Sequence, residues 1–237
     1  HCQARRCAFF LWADGGPSKA KKLSWARFPG IVVVNDFGFC ARDLRQGGVG
    51  DCWFLSALAV VAERHDLIAK LFLDTKVEQS GCYGINLFVD GRWRTVLIDD
   101  KLPVTEGARR QALTFGQHGQ QLAYSRAGSV ATGDQQLWVS LLEKAYAKEH
   151  GSYRSISGGH IAEALLDLTG APTVTVDFGA RGFSSELLWA RLLCCERLGL
   201  PAGCATAADP SLKEVGLCGS HAYSILDVRE VTTQPGT

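Results

Sequence analysis

The residues best suited to chemistry in this chain lie in one short string, Gln46-Gly47-Gly48-Val49-Gly50-Asp51-Cys52-Trp53, which runs straight into an apolar helical pattern. A thiol on the first turn of a helix sits where backbone N–H groups stabilise negative charge, so Cys52 is expected to have a lowered pKa and a larger thiolate fraction. Only the thiolate is a strong nucleophile. Gln46, six residues upstream across the glycines, can turn its side-chain amide back toward the same point. With the backbone N–H of Cys52 it would form an oxyanion hole for a tetrahedral intermediate, and removing one such donor typically costs about 100–1,000-fold in rate. Gly47, Gly48 and Gly50 match neither the phosphate loop nor the dinucleotide fingerprint. A lone Cys opening an apolar helix is otherwise a packing thiol, so the reading rests on the whole string and on a base elsewhere in the chain.

Six His are available as that base. His1 and His118 lie in irregular segments, His65 on the exposed side of a helix pattern, and His150 and His160 at helix ends, where surface or capping roles are expected. His221 differs. It opens a strand-like run after a polar loop, in Gly219-Ser220-His221-Ala222-Tyr223-Ser224-Ile225-Leu226-Asp227-Val228, and is the candidate general base.

The elements that must position these groups are legible in outline. Phe54, Leu58 and Val61 at i, i+4, i+7 predict a long helix from Cys52 to about Leu73. Tyr83–Val89 and Arg92–Ile98 read as strands joined by Asp90-Gly91, a type I′ hairpin signal, and Asp99 to Pro103 closes that hairpin. A second helix is predicted from Asp134 to His150, a third from His160 to Leu168 closed by Gly170, and a fourth over Ser185–Leu198. Ile31–Val34, Val174–Phe178 and His221–Val228 read as strands, Cys204–Gly216 as a loop, residues 1–30 as an irregular lead-in, and Ser157-Gly158-Gly159 as a hinge. Asp99 and Asp100, adjacent on a strand, face opposite ways and are assigned turn and solvent roles.

Composition narrows the function classes. The 237 residues allow one large domain or two small ones, and 46% hydrophobic against 21% charged residues is ordinary globular usage. Lys plus Arg total 25 and Asp plus Glu 24, so a net charge of +1 disfavours a nucleic-acid partner. No apolar run approaches the ~18 residues of a membrane span. The nine Cys are an odd number, scattered in a chain too large to need a disulfide framework, which predicts reduced thiols in a cytoplasmic protein. Cys2 and Cys7 lack the second pair that a zinc finger needs. The chain begins with His and contains no Met, as expected of a piece of a longer protein with flanking domains.

The nucleophile string is similar to the Gln-Gly…Cys-Trp segment of papain-like thiol proteases. Adding Gly91-Arg92-Trp93, Asp99-Asp100-Lys101-Leu102-Pro103, the run from Leu137 to Lys148, Gly151-Ser152-Tyr153, Ser157-Gly158-Gly159, Asp167-Leu168-Thr169-Gly170 and His221-Ala222-Tyr223-Ser224, in that order, makes the chain resemble the catalytic core of a calpain. Within that family it looks most like the small-optic-lobes branch. The resemblance implies an α+β, papain-like core: a helical subdomain over residues 1–158 carrying the nucleophile, and a β-rich one over 159–237 carrying the His. The active-site cleft would lie between them. It implies Cys52 as nucleophile, His221 as general base and Gln46 as oxyanion donor, with Gly159 and Ser220 offering backbone to an extended protein substrate. Ser220 stands where the family has Gly.

Two further departures bear on activity. The family's third catalytic residue is an Asn in an Asn-Pro-Trp string beyond the His strand, and the sixteen residues after His221 contain no Asn. On this reading the fragment alone is weakly active or inactive, and a continuing chain would complete the triad. In calpains, calcium ions bind the core and swing the subdomains together. Asp43 matches a calcium ligand of the helical subdomain, but the acidic ligand expected two residues before Trp138 is Gln136, which predicts a weakened site. No organic cofactor is expected. The competing readings are an inactive calpain-like interaction domain and a metal or redox module built on the Cys; apart from Cys194-Cys195, the thiols are too dispersed for the latter.

Overall fold

The run Cys-Trp-Phe-Leu-Ser-Ala-Leu-Ala-Val-Val-Ala is apolar on every side, and a helix of that kind has to be wrapped by other elements. The computed structural model describes residues 23–76, 79–105, 121–128 and 134–231. In chain order its elements are β1 (Leu23–Ala26), β2 (Leu44–Arg45), α1 (Cys52–Ala62), α2 (His65–Ile68), β3 (Cys82–Val89), β4 (Arg92–Asp99) and β5 (Leu102–Thr105). There follow β6 (Gln121–Leu122), β7 (Arg126–Gly128), β8 (Gln135–Gln136), α3 (Trp138–Glu149), α4 (Ile161–Thr169), α5 (Ser185–Leu198), β9 (Ala202–Ala205) and β10 (Ala222–Ile225). The architecture is α+β, helices packed beside several small sheets.

Every residue of α1 after Cys52 is buried. Around it pack α4, β9 and β10, while α3 packs on β4 and β7 and α4 also covers β3. The sheets are small and antiparallel: β1-β5-β6, β2-β7-β8, β3-β4 and β9-β10. In β3-β4 the alternation turns Tyr83, Ile85, Leu87, Val96 and Ile98 inward. Asp90 (φ 52°) and Gly91 (φ 74°) form the expected type I′ turn between Val89 and Arg92. Among the described residues beyond 158 the buried apolar side chains are Ala164, Leu168 and Ala222; α5 has no buried residue.

Several elements depart from the sequence reading, each for a local reason. The long helix stops at Ala62, because Glu63-Arg64-His65-Asp66 is a polar break and Arg64 (φ −111°, ψ 89°) leaves the helical conformation before the short α2. The second helix begins at Trp138, not Asp134: Gln135 and Gln136 pair with β7 instead. Ile31–Val34 makes only a single bridge, Val32 to Gln136. Its carbonyls are engaged as the cap of α3, Val33 accepting from the N–H groups of Leu137 (3.2 Å) and Trp138 (3.0 Å). Val174–Phe178 is not a strand; Val174 is 81% and Phe178 64% exposed, and β-propensity without a pairing neighbour is not enough. Within Cys204–Gly216, read as a loop, the structure has the end of β9 and a 3-10 turn over Pro210–Val215. The strand predicted over His221–Val228 shortens to Ala222–Ile225. Residues 23–26 of the supposed lead-in form β1, whereas Cys2, Cys7, His1 and His118 lie outside the described residues.

Candidate active site

Cys52 is the first residue of α1, half-buried, with Asp51 as the N-cap whose carbonyl accepts from Phe54 (2.9 Å) and Leu55 (3.0 Å). The glycines before it are required by close approach. A Cβ on Gly47 would lie 2.1 Å from the backbone carbon of Tyr124, and the N–H of Gly48 donates to Ala123 O at 2.9 Å. On the other side the N–H of Gly158 donates to Gly50 O (2.9 Å), and the indole N–H of Trp53 to Ile156 O (3.0 Å). The loop that leads into Cys52 is thus clamped between residues 123–124 and 156–158. Gly159 completes the clamp, since a Cβ there would stand 2.4 Å from the Trp53 ring.

Gln46 folds back over this loop, one N–H donating to Val49 O at 3.1 Å; its amide carries a second N–H. His221 is held through its backbone by Thr206. The His221 N–H donates to Thr206 Oγ1 (3.1 Å), Thr206 N–H donates to His221 O (2.9 Å), and Thr206 Oγ1 donates to Cys218 O (2.6 Å). The imidazole meets the Tyr223 ring edge to face at 4.8 Å, and the Tyr223 hydroxyl accepts from the Cys218 N–H at 2.7 Å. Burial pushes the His221 pKa down, favouring the neutral imidazole that a base must be. Gln46, Cys52 and His221, with Leu55 and Ser56, line one pocket. Three residues dispersed over the chain thus meet at the start of α1. Ser220, just before the base, has φ +50°, the left-handed region that favours glycine.

Beneath the loop, Asp51 and Glu143 are fully buried carboxyls, and Glu143 accepts the Ser125 N–H on both oxygens (3.1 and 3.2 Å). Burial raises Asp51 to about 6, and burial together with neighbouring Asp51 holds Glu143 well above the ordinary carboxyl range. Asp43 and Gln136 are also together and buried, but as partners of each other: Gln136 Nε2 donates to Asp43 Oδ2 at 2.9 Å, and its Oε1 accepts the Asn35 N–H at 3.0 Å. The amide thus presents nitrogen to the carboxylate and spends its oxygen on the backbone, an arrangement that does not fit a shared calcium ion. Among the described residues no three His, Cys, Asp or Glu side chains cluster in a way that could hold a metal.

The same residues 7–237 match the family model of the calpain family cysteine proteases. The chain belongs to the calpain family. It is 34% identical over 240 residues to the calpain-type cysteine protease DEK1 of Arabidopsis thaliana, which covers 94% of this chain and 10% of the relative. To the calpain-type cysteine protease ADL1 of Oryza sativa subsp. japonica it is 35% identical over 197 residues, 81% of the chain and 8% of the relative. Human calpain-14 is 34% identical over 217 residues, 89% of the chain and 29% of that protein. The chain therefore spans from about a tenth to under a third of the calpains it matches. In this calpain core no helix among the described residues is long and apolar enough to cross a membrane.

Sequence reasoning missed Thr206, Tyr223, Ser56, Ser224 and the Asp51–Glu143 pair. Glu143 had a signal: it lies four residues after Val139 and three before Tyr146, on the buried side of α3. Thr206 had none, because its partners sit across a sheet register that only the fold defines.

Proposed function

We propose that this chain is the core of a calpain-type cysteine endopeptidase making limited cuts in protein substrates. What carries the reading is the convergence of Gln46, Cys52 and His221 on one pocket at the N-terminus of α1. His221 takes the proton of the Cys52 thiol, and the sulfur attacks the scissile carbonyl carbon. The carbonyl oxygen becomes an oxyanion, stabilised by the Cys52 N–H and the Gln46 amide. As the C–N bond breaks, imidazolium returns the proton to the leaving amine, leaving a thioester; water, deprotonated by His221, then releases the acid and the thiol. An extended substrate would pair with the backbone of Gly159 on one side and Ser220 on the other. We place the division between the two subdomains at Gly158–Gly159, between residues 1–158 and 159–237.

In this reading the Asp43–Gln136 bond is a structural bridge and calcium binds weakly if at all. A tight, saturable calcium titration that disappears in Asp43→Ala would overturn that. Cys40, Cys52, Cys82, Cys194, Cys195 and Cys218 carry free thiols, in keeping with the cytoplasmic setting we propose. Flanking domains of a longer chain and the small-optic-lobes affinity belong to the same proposal.

Labelling with a limiting thiol-reactive probe followed by peptide mass mapping tests the nucleophile. Cys52 should react at least tenfold faster than the other eight Cys, and Cys52→Ser in the complete gene product should abolish peptide cleavage. Equal labelling would point to an inactive calpain-like interaction domain.

A further inference from the structure

Cys52 and His221 sit on elements far apart in the chain, so something must set the distance between the helix and the strand that bear them. Two buried hydrogen bonds do so directly. Ser56 Oγ on α1 donates to the carbonyl of Ala222 at 3.0 Å, and Ser224 Oγ on β10 donates to the carbonyl of Ser56 at 3.0 Å. Ser56 is one turn beyond Cys52, so its side chain and that of the nucleophile share a helix face. Ala222 directly follows His221, and Ser224 is two residues on, with its side chain on the same strand face as Ala222. Ser56, Ala222 and Ser224 are all buried, and Ser56 lines the pocket shared by Cys52, Gln46 and His221.

A single hydrogen bond would permit rotation of strand against helix. Two bonds in opposite senses, each residue group both giving and receiving, fix translation along α1 as well as rotation about it. Ser56 O is a carbonyl of α1, whereas Ala222 faces Ala205 at a non-hydrogen-bonded position of the β9–β10 pair, so its carbonyl points away from β9 and accepts from Ser56. Apolar contact alone would hold the two elements together without selecting one register.

We infer that Ser56 and Ser224 are positioning residues that set the register of the Cys52 helix against the His221 strand. They touch no substrate; they act through where the thiol meets the imidazole. This rests on the assignment of Cys52 and His221 as nucleophile and base.

The test is the pH dependence of Cys52 alkylation by iodoacetamide in this chain, read by mass mapping, which separates imidazole-assisted reaction near pH 6 from ordinary thiolate reaction above pH ~9. The unsubstituted chain should show a limb near pH 6 that His221→Ala removes. Ser56→Ala and Ser224→Ala should each lower that limb about tenfold while changing the rate above pH 9 by less than twofold, since a displacement of about 1 Å can cost on the order of 100-fold. Ser224→Thr, which keeps the hydroxyl, should recover the limb; Ser224→Val, of the same size without a donor, should not. Thermal unfolding of the Thr and Val variants keeps folding and positioning apart. A limb retained within twofold in the Ala and Val variants would overturn the positioning role alone. A limb absent from the unsubstituted chain, or unaffected by His221→Ala, would overturn the nucleophile and base assignment and the positioning role with it.

Discussion

Ser220 shows how a single residue can hold His221 in place at a conformational cost. Its φ of +50° is a conformation that L side chains rarely adopt, and its N–H is fixed by the carbonyl of Ala207 at 2.9 Å. The backbone that follows is then pinned by Thr206 on both sides of His221, so the left-handed turn aims the imidazole. Ser220→Val, β-branched at that φ, should destabilise the chain by about 1–2 kcal/mol in denaturant unfolding, whereas Ser220→Gly should stay within about 0.5 kcal/mol. Equal behaviour of the two variants would show that the turn is not retained in solution. The Ser-for-Gly departure was visible in the sequence, but its meaning was not, because only the backbone dihedral shows that the serine adopts the conformation the glycine would have supplied.

At the scale of elements the position of Cys52 is a property of a clamp. The stretch from Gln46 to Trp53 touches two segments, one through Ala123 and Tyr124 and the other through Ile156 to Gly159, and glycine at 47 and 159 is what lets them close. Gly159→Ala should drive its methyl into the Trp53 ring next to Cys52. We expect a loss of about 1–3 kcal/mol in stability and about a tenfold slower alkylation of Cys52; an unchanged rate would show that the clamp does not set the nucleophile. Much of this was readable beforehand. The start of α1 at Cys52, the hairpin turn at Asp90-Gly91, the end of α4 at Gly170 (φ 69°) and the whole of α5 follow from capping and turn chemistry. The two- and three-residue strands were not, since they carry too few positions for a period to appear. Nor was the fate of Ile31–Val34, whose β-branched residues serve another helix's N-terminus.

For the molecule as a whole, two buried carboxyls beneath the loop that precedes α1 make stability depend on pH. Asp51 and Glu143 bind protons more tightly folded than unfolded, so folding takes up protons and stability falls as pH rises. Their contribution is intact below about pH 4, the range of an unfolded carboxyl, and is lost as pH rises through about 6 for Asp51 and through the raised range of Glu143. His221 works in the opposite sense: its lowered pKa adds stability that is present above the unfolded value and lost as pH falls. A difference measurement isolates the acids. Glu143→Gln keeps the shape, removes one charge and supplies a donor for ionised Asp51, so the drop in melting temperature between pH 5 and pH 8 should shrink by several degrees relative to the unsubstituted chain. Parallel pH profiles would mean that the pair does not titrate in this range.

Helix α5 gives the molecule a very uneven distribution of stability. It is capped at both ends, by the Ser184 hydroxyl accepting from Leu187 (3.1 Å) and by Gly199 in the left-handed region. Among the described residues, side-chain hydrogen bonds tie it to the rest of the chain from Arg64 to the Gly199 carbonyl, from Val228 N–H to Glu196 and from Trp189 to Glu230. With none of its fourteen residues fully buried and only Leu188, Trp189, Leu192, Leu193 and Cys195 half-buried, it has far less packing than α1, and a helix of that length on its own is marginal in water. Its amide protons should therefore exchange with deuterium orders of magnitude faster than those of α1, giving one chain a slowly exchanging centre and a rapidly breathing flank.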